Sequence, residues 1–441
     1  MNKIKINSGI ALWNKAKKII PGGNQLLSKR AELFLPGFWP AYYQKAHGIE
    51  VWDLDGNSYL DFSIMGIGAC SLGYSNEAVD NAVKGAIDKG SASTFNAYEE
   101  VLLAEKLLQL HPWGQMVRFA KTGGEINSIA IRIARAYTKK DAVAFCGYHG
   151  WADWYLAANL ANEKSLDGQL LPGLEPNGVP RGLKGTALPF HYGKLDELNT
   201  IIDNNQNQIG TIIMEIARYG EPDVAFVEGV QKIAKEIGAV LIFDEVSSGF
   251  RASTGGMHAK FGLEPDMVTL GKALGNGYPI TALIGKEKVM DEAQTSFISS
   301  TNWTDRIGFV AALETIKQFE EKLVSEYTEE LANYMRDKLM TLFKSYGLKV
   351  EVKGMPSIVI LSIMEEDPLV VKTYITQEML KLGYLAGTVF FVSYAHTREH
   401  VDKYLKKLEL VVSRLVKEIK NNSLNDLLDG DVCHGGFSRL N

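Results

Sequence analysis

Leu241-Ile-Phe-Asp-Glu-Val-Ser-Ser-Gly-Phe-Arg251 is the stretch from which the fold can be worked out. The apolar run from Ala239 to Phe243 predicts a buried strand, and the first residue after it is Asp244. A shorter run, Met267 to Leu270, predicts another strand, and Lys272 follows it closely. Ligands of an open α/β sheet bind beyond the carboxyl ends of its strands, so the acid and the lysine are expected to face one ligand.

A carboxylate and a lysine at two strand ends suit pyridoxal phosphate. The lysine forms a Schiff base with this cofactor, and the carboxylate keeps the pyridine nitrogen protonated so that the ring withdraws electrons. A plainer interpretation is that Asp244 caps a loop and Lys272 is an ordinary solvated lysine. The pair alone does not decide between the two interpretations.

Composition and charge exclude several classes of protein. The 441 residues are enough for two or three folding units, and 46% hydrophobic with 22% charged residues permits a large core. A net charge of −5 gives no sign of a nucleic-acid partner. Cys70, Cys146 and Cys433 lack the spacing of zinc ligands and favour a reducing compartment. Without a membrane-spanning apolar run or a cleavable signal peptide, we expect a cytoplasmic protein with no metal site and no membrane contact.

The chain is expected to divide into four segments. Residues 1–60 predict an N-terminal helix and strands that pack on a small domain, and residues 61–320 predict a large cofactor-binding domain. Residues 321–421 predict a small α+β domain, and residues 422–441 a weakly structured tail. The first 31 residues lack acids, and we interpret them as containing an amphipathic helix capped by Ser8 rather than as a transit peptide.

In the large domain, predicted strands alternate with helices, which is typical of a mostly parallel sheet with crossover helices. The expected fold class is therefore α/β. A long helix over 305–346, broken near Glu321, should lead into the small domain. The predicted strands of the large domain are 116–120, 142–146, 211–216, 239–243, 267–270 and 281–284, and the helices between them include 125–138 and 224–237.

Two further motifs follow predicted strands. Thr122-Gly-Gly124 precedes a helix, where main-chain N–H groups and the helix dipole favour a phosphate, although such turns are common in α/β proteins. Tyr148 and His149 can stack on a planar ring, or can simply pack under a loop. Glu215 either pairs with an arginine or lies near Asp244 and alters its protonation.

Together these motifs resemble the class III aminotransferases, which are fold type I pyridoxal-phosphate enzymes. The resemblance covers roughly Ile10 to Lys420 and is closest to the subgroup that includes glutamate-1-semialdehyde aminomutase. It implies a mixed, mostly parallel sheet in a large cofactor domain and a small α+β C-terminal domain. The motifs that carry it are Thr122-Gly-Gly-Glu125, Tyr148-His-Gly150, Glu215, Asp244-Glu-Val-Ser-Ser-Gly-Phe-Arg251 and Gly271-Lys-Ala-Leu274.

The resemblance also implies roles for individual residues. Lys272 would form the internal aldimine with pyridoxal phosphate and later shuttle the substrate proton, while Asp244 would pair with the pyridinium nitrogen. Thr301 of one subunit would reach the phosphate of its partner, which makes a homodimer the active unit. The other implied cofactor-binding residues are Thr122, Gly123 and Gly124 at the phosphate, Tyr148 and Val246 on the two ring faces, and His149 and Glu215 nearby.

The sequence departs from the family mainly at the substrate end. Thr388 stands where the aminomutase subgroup has a glutamate, and Arg30 is one residue out of register with the subgroup's substrate arginine. In the phosphate turn, Gly124 replaces a hydroxyl-bearing residue, for which Thr122 is expected to compensate. Ile216 replaces a proline, and Asp305-Arg306 replaces an Asn-Pro pair.

We therefore expect an aminotransferase that moves an amino group from an amino-acid donor to a carbonyl acceptor of sugar-like character. The alternatives are a glutamate-1-semialdehyde aminomutase and an inactive scaffold with the same fold. Arg30, Trp151 and Arg251 are the candidate substrate residues, because arginine binds carboxylate or phosphate with a planar fork of donors. Arg251 can equally be structural.

Overall fold

The computed structural model describes residues 7–205, 207–217, 219–421 and 423–440. This part of the chain forms two compact units. Glu77–Glu326 is one of them, and the described residues before and after it in sequence form the other. No described helix is both long and apolar enough to cross a lipid bilayer.

The regular elements have the following bounds. The helices are α1 (Ser8–Ile19), α2 (Glu77–Asp88), α3 (Glu99–Leu110), α4 (Gly123–Thr138), α5 (Asp153–Leu156), α6 (Leu195–Asn204), α7 (Val224–Ile237), α8 (Met257–Lys260), α9 (Glu287–Met290), α10 (Arg306–Lys322), α11 (Val324–Ser345), α12 (Pro368–Lys381) and α13 (Arg398–Lys420). The strands are β1 (Tyr43–His47), β2 (Glu50–Asp53), β3 (Ser58–Phe62), β4 (Met116–Ala120), β5 (Ala142–Cys146), β6 (Ala187–Pro189), β7 (Ile209–Met214), β8 (Val240–Glu245), β9 (Met267–Leu270), β10 (Thr281–Gly285), β11 (Val350–Lys353), β12 (Ile358–Ile363), β13 (Tyr384–Ala386) and β14 (Val389–Phe391).

A seven-stranded sheet organises the unit Glu77–Glu326, with the strand order β4-β10-β9-β8-β7-β5-β6. Strands β6, β5, β7, β8 and β9 pair in parallel, whereas β10 runs antiparallel to both of its neighbours. The predicted α/β fold with a mixed, mostly parallel sheet is confirmed.

The central strands of this sheet are buried from end to end. Every residue of β5, β7 and β8 is buried, and Phe145, Ile213 and Ile242 share one core with Ile126 and Ile133 of α4. Strands covered on both faces have nearly continuous apolar sequences. This is why the sequence predicts these strands within two residues.

The other unit contains two smaller sheets, ordered β1-β2-β3-β13 and β11-β12-β14. Strand β13 pairs in parallel with β3, with Tyr384 opposite Leu60, so residues from both ends of the chain share one sheet. Phe62 lies in the core beneath it, and its ring stacks on Tyr404 with the centroids 4.3 Å apart.

Some local features differ from the predictions. Strand β1 was not predicted, because most of its residues are exposed and it has no apolar alternation. Helix α1 is capped by Asn7, whose Oδ1 accepts from the Ile10 N–H at 3.0 Å, while Ser8 donates to Asp55 instead. The long helix breaks at Leu323, which has a left-handed φ of +49°, and this agrees with the predicted break near Glu321.

The C-terminal segment 423–440 has little regular secondary structure but is packed. The Cys433 N–H donates to Thr373 Oγ1 at 2.9 Å, and the Asp429 N–H donates to Gln377 Oε1 at 2.6 Å, so the segment is attached to α12. A segment held by such polar contacts needs no periodic apolar pattern, so its packing cannot be predicted from the sequence. Asn422 and Asn441 of the predicted tail, and residues 1–6 of the acid-free segment, lie outside the described residues.

Candidate active site

Asp244 and Lys272 lie at the same edge of the seven-stranded sheet. Strand β8 continues through Asp244 to Glu245, two residues beyond its predicted end. Strands β8 and β9 are parallel, with Asp244 opposite Thr269, and Lys272 comes two positions after the end of β9. The carboxyl ends of parallel strands are where open α/β sheets bind ligands.

The Asp244 carboxylate is 4% exposed and is surrounded by donors. Its Oδ2 accepts from Asn127 Nδ2 at 2.7 Å and from His149 Nδ1 at 2.8 Å, and its Oδ1 accepts from the Val246 N–H at 3.0 Å. Burial alone would raise the pKa of Asp244, but the hydrogen bond and charge of His149, with the Val246 and Asn127 donors, lower it below its usual value. The Asp244 carboxylate is therefore ionised at neutral pH.

Asn127 is a functional neighbour that the sequence analysis missed. It lies on α4, is buried, and connects two strands by donating to Asp244 and accepting from Thr269 Oγ1 at 2.9 Å. The only sequence signal is an amide on the inward face of an amphipathic helix, where an apolar residue is expected. Such a signal becomes informative only when the facing strand is known.

Lys272 follows the sheet edge in an unusual backbone conformation. Its φ is +39°, a left-handed value that is rare for a residue with a side chain and that commonly marks a functional site. Its Nζ donates to Ser247 Oγ at 2.5 Å. Ser247 belongs to the stretch that determined the fold, yet its residue type alone did not suggest a role.

Glu245, next to Asp244, has a structural environment. Its carboxylate is fully buried and accepts from His258 Nδ1 at 2.6 Å, from the Met257 N–H at 2.6 Å and from Ser248 Oγ at 3.1 Å. These contacts join the end of β8 to α8. Glu245 thus fixes the turn that follows Asp244.

The phosphate-type turn is the start of α4, which begins at Gly123 rather than at the predicted residue 125. Thr122 is the N-cap: its Oγ1 accepts from the Glu125 N–H at 3.4 Å and donates to Glu125 Oε2 at 3.1 Å. The Thr122 hydroxyl is therefore engaged within the helix cap, and its expected role of replacing the hydroxyl missing at Gly124 stays a prediction. The N–H groups of Gly123 and Gly124 belong to the first helical turn, which has no acceptors within the helix.

Val246 lies between the phosphate-type turn and the lysine. A Cβ added at Gly123 would be 3.1 Å from Val246 Cγ1, and one added at Gly271 would be 3.2 Å from the same atom. Both distances are tighter than ordinary van der Waals contact. The glycines therefore let the valine side chain pack against the backbones on both sides.

Tyr148 and His149 follow β5, and His149 is the member of the pair that binds Asp244. His149 Nε2 also lies 3.2 Å from the Cys146 carbonyl oxygen, so both ring nitrogens face oxygen acceptors. The Tyr148 N–H donates to Glu215 Oε2 at 2.9 Å. Glu215 thus holds the main chain of the predicted stacking tyrosine.

The three candidate substrate residues have different environments. Arg251 is 2% exposed, and its Nε donates to the Ser247 carbonyl oxygen at 2.7 Å; burial lowers its pKa to about 10. Trp151 is 72% exposed, and a Cβ added at Gly124 would lie 3.0 Å from its indole nitrogen. Arg30 lies in the other unit, where its NH1 donates to the Ser438 carbonyl oxygen at 2.9 Å and its guanidinium is 5.5 Å from the Phe437 ring centre.

Thr301 begins a short 3-10 turn, Thr301–Thr304, and its side chain is exposed. The neighbouring Trp303 donates from its indole nitrogen to Glu125 Oε1 at 3.3 Å. The turn is therefore attached to the start of α4 within its own chain. Its partner there, Glu125, directly follows the two glycines of the phosphate-type turn.

These groups fit the chemistry of pyridoxal phosphate. The cofactor needs an ionised carboxylate for its ring nitrogen, a primary amine for its aldehyde and a set of N–H donors for its phosphate. Asp244, Lys272 and the first turn of α4 supply the three. The glycines at 123, 124 and 271 let Val246 and Trp151 approach the backbone, because a Cβ at any of them would lie within 3.2 Å of one of these side chains.

Comparisons with known proteins agree with this fit. The family model of class III aminotransferases matches residues 37–412. The chain is 31% identical to a 3-aminobutyryl-CoA aminotransferase of Cloacimonas acidaminovorans over 95% of this chain and 99% of that protein. It is 31% identical to a glutamate-1-semialdehyde 2,1-aminomutase of Methanocaldococcus jannaschii, over 93% and 99% of the two chains.

A third relative, a 2'-deamino-2'-hydroxyneamine transaminase of Streptomyces kanamyceticus, is 30% identical over 86% of this chain and 92% of that protein. Among solved structures, the pyridoxal-phosphate-bound FumI protein of a Sphingopyxis species superposes with a TM-score of 0.83 at 23% identity, covering 93% of this chain and 97% of that one. The structural likeness confirms the fold. Since the family model covers most of the chain and the relatives match over nearly their whole length, this protein is a member of the class III aminotransferase family, which uses pyridoxal phosphate.

Proposed function

We propose that this protein is an intermolecular aminotransferase that takes an amino group from an amino acid and delivers it to a sugar-like carbonyl acceptor that carries no carboxylate. The observation that carries the proposal is the arrangement of Asp244 and Lys272. A carboxylate kept ionised by three donors lies one strand away from a lysine whose amine is held at the same sheet edge. A non-catalytic scaffold would have no chemical need of either feature.

The residues of this site take the following roles in the proposal. Pyridoxal phosphate supplies an electron sink for the carbon that bears the amino group. Asp244 holds the proton on the ring nitrogen, while Val246 and Tyr148 orient the ring from its two faces. The N–H groups of Gly123 and Gly124 bind the phosphate. Lys272 Nζ takes the proton from the substrate carbon and returns it to the neighbouring position.

The character of the acceptor is inferred from the arginines. Arg251 is buried and bonded to the main chain of Ser247, and Arg30 is engaged by the C-terminal segment. Arg251 has no exposed guanidinium to attract a substrate carboxylate, and the Arg30 guanidinium is already bonded to Ser438. Two relatives have names that point the same way, because a coenzyme A thioester and an aminoglycoside both lack a free carboxylate at the group that reacts.

An aminomutase is the second candidate, favoured by the aminomutase of Methanocaldococcus jannaschii among the relatives. An aminomutase rearranges glutamate-1-semialdehyde with no other reactant, whereas an aminotransferase needs a separate donor and acceptor. Incubation of the protein with glutamate-1-semialdehyde alone distinguishes them. Production of 5-aminolevulinate over many turnovers would replace our proposal with the aminomutase.

The central experiment is a two-stage absorbance measurement. Protein loaded with pyridoxal phosphate should have a visible band from the lysine–cofactor bond, and an amino donor should remove it. The donor is then washed away and a carbonyl acceptor is added. If our proposal for the acceptor is right, a sugar that carries a ketone or an aldehyde should restore the band faster than a keto acid of similar size. Lys272→Ala should lack the initial band, and wild-type protein without a band would refute the function itself.

We further propose that the active unit is a cytoplasmic homodimer in which Thr301 reaches the partner's phosphate. No disulfide joins Cys70, Cys146 and Cys433, which all lie in the described part of the chain, and this supports a reducing compartment. The dimer can be tested by mixing Lys272→Ala with Thr301→Ala protein after mild dissociation. If Thr301 acts across the interface, each mixed dimer contains one fully wild-type site and regains the wild-type cofactor affinity. If it acts within its own chain, mixing restores nothing.

A further inference from the structure

The amine of Lys272 has a defined neighbour in Ser247. Its Nζ lies 2.5 Å from Ser247 Oγ, with the nitrogen as donor. A substrate amino group that takes the place of Lys272 on the cofactor would leave the lysine as a primary amine beside Ser247. The hydrogen bond therefore bears on the stage of the reaction at which the lysine moves a proton.

Ser247 is held in place by bonds to its own backbone. Its carbonyl oxygen accepts from Arg251 Nε at 2.7 Å. On one side of it, the Val246 N–H donates to Asp244 Oδ1 at 3.0 Å, and on the other the Gly249 N–H donates to the Glu245 carbonyl oxygen at 2.8 Å. The serine thus has a fixed backbone, and its hydroxyl has one torsion left to adjust.

The lysine is constrained in a comparable way. Its left-handed φ of +39° and the close packing of Val246 against Gly271 determine where its side chain starts. The four methylene groups of the side chain still allow the amine many rotamers, and restricting it to one of them costs conformational entropy. A hydrogen bond to an anchored hydroxyl selects one region of that space.

We propose that Ser247 is the positioning residue for the amine of Lys272. By accepting one N–H, Ser247 Oγ keeps the nitrogen near the site and leaves its lone pair directed elsewhere, toward the substrate proton. When the substrate C–H bond breaks, its electron pair remains with the substrate and the cofactor, and the proton forms a new N–H bond on Lys272. Ser247 then stabilises the resulting ammonium, because a hydrogen bond from a charged donor is stronger than one from a neutral donor.

This inference depends on the proposed role of Lys272 as the proton carrier, but not on the acceptor or on the choice between aminotransferase and aminomutase. It is tested with three variants of the full chain: Ser247→Ala, Ser247→Thr and Ser248→Ala. Ser247→Thr keeps a hydroxyl at the same position. Ser248→Ala is the matched control, because Ser248 Oγ bonds to the structural carboxylate of Glu245 and not to the lysine.

The first measurement is made on cofactor-loaded protein with an ordinary and an α-deuterated amino donor. Ser247→Ala should lower kcat about tenfold, the size of one hydrogen bond to a charged group. The donor KM should stay within about twofold, since no donor contact is removed. The deuterium isotope effect on kcat should rise, because proton transfer becomes the slower step. Ser247→Thr should restore both values, and Ser248→Ala should leave both unchanged.

The second measurement uses the cofactor-free chain and does not depend on activity. Acetylation of Lys272 by a limiting amount of acetic anhydride is followed by mass spectrometry. Ser247→Ala should be acetylated several-fold faster than wild type, because the Lys272 amine loses the hydroxyl that accepts its N–H. Ser247→Thr should react at the wild-type rate.

The outcomes separate this inference from the proposed function. If wild type forms the visible band and transfers amino groups, but Ser247→Ala keeps the wild-type isotope effect and acetylation rate, the inference is wrong and the function stands. Wild type without a band would remove the function first. A Ser247→Ala effect that the threonine does not rescue would also overturn the inference, since a hydroxyl would then be irrelevant.

Discussion

Replacement of Asn127 by alanine tests whether the donors around Asp244 keep it ionised. The Asn127 amide donates to Asp244 Oδ2 at 2.7 Å and to the His149 carbonyl oxygen at 3.3 Å. A hydrogen bond to a charged group contributes about 2 kcal/mol, so Asn127→Ala should lower the free energy of unfolding of the cofactor-free protein by about that amount at neutral pH. Urea unfolding followed by tryptophan fluorescence measures the change.

The dependence of this loss on pH is the more specific result. The folded-state pKa of Asp244 is held below its usual value. Its ionised form therefore adds stability above the unfolded pKa of about 3.9, and this stability is lost as the pH falls through the folded pKa. Asn127 is one cause of the lowering, and the variant's Asp244 takes up a proton at a higher pH than wild type. The difference between wild type and Asn127→Ala should therefore be smaller at about pH 3 than at about pH 8, with the change falling below the unfolded pKa of about 3.9.

Asn159→Ala is a matched control for this measurement. Asn159 is also 2% exposed, and its amide donates to the Leu174 carbonyl oxygen at 2.6 Å and accepts from the Leu166 N–H at 3.0 Å. Both partners are uncharged, so its loss should cost the same free energy at either pH. If Asn127→Ala proved equally independent of pH, the Asp244 carboxylate would not be what the amide stabilises.

Two further predictions concern buried titratable groups. Arg251→Met should lower kcat about tenfold and leave KM for the acceptor within about twofold, because Arg251 holds the Ser247 carbonyl and is 2% exposed. Steady-state kinetics measure both constants, and a raised KM with an unchanged kcat would make Arg251 a substrate residue instead. Burial lowers the pKa of His396 to about 4. Its neutral form therefore adds stability above the usual histidine pKa of about 6.5, and this stability is lost as the pH falls through about 4. The total loss in the free energy of unfolding is on the order of 3 kcal/mol. His396→Gln keeps a donor for the Asp61 carbonyl and an acceptor for the Ser393 N–H, and its urea midpoint should fall less steeply with acid than that of wild type; an identical slope would contradict the pKa.

Much of the fold can be predicted from the sequence because its signals are local. Strands β5 and β8 are apolar runs, since both faces of the sheet are covered, and α7 has the helical periodicity and bounds that its sequence predicts. Strand β1 could not be predicted in this way. It is held by pairing with β2 and buries little of its own surface.

The candidate site also has a part that the sequence predicts and a part that depends on long-range contacts. The residue types of Asp244 and Lys272 and their places after apolar runs are properties of the sequence, and with the neighbouring motifs they identify the family and its cofactor. The contacts that give these residues their chemical state join positions far apart in the chain. Asn127 and His149 bind a carboxylate on β8, and Ser247 binds a lysine beyond β9.

Tertiary structure alone decided which charged and polar side chains are engaged inside the fold. Arg251 follows a glycine and a phenylalanine in a polar turn, a pattern that suits an exposed residue, but the turn folds back and buries it. Thr122 is used by the helix cap, and Arg30 by a segment four hundred residues away in sequence. The sequence by itself determines which groups are available at the sheet edge, because local hydrophobic pattern sets the elements. Which of them meet, and so which remain free for chemistry, depends on long-range packing that no local pattern encodes.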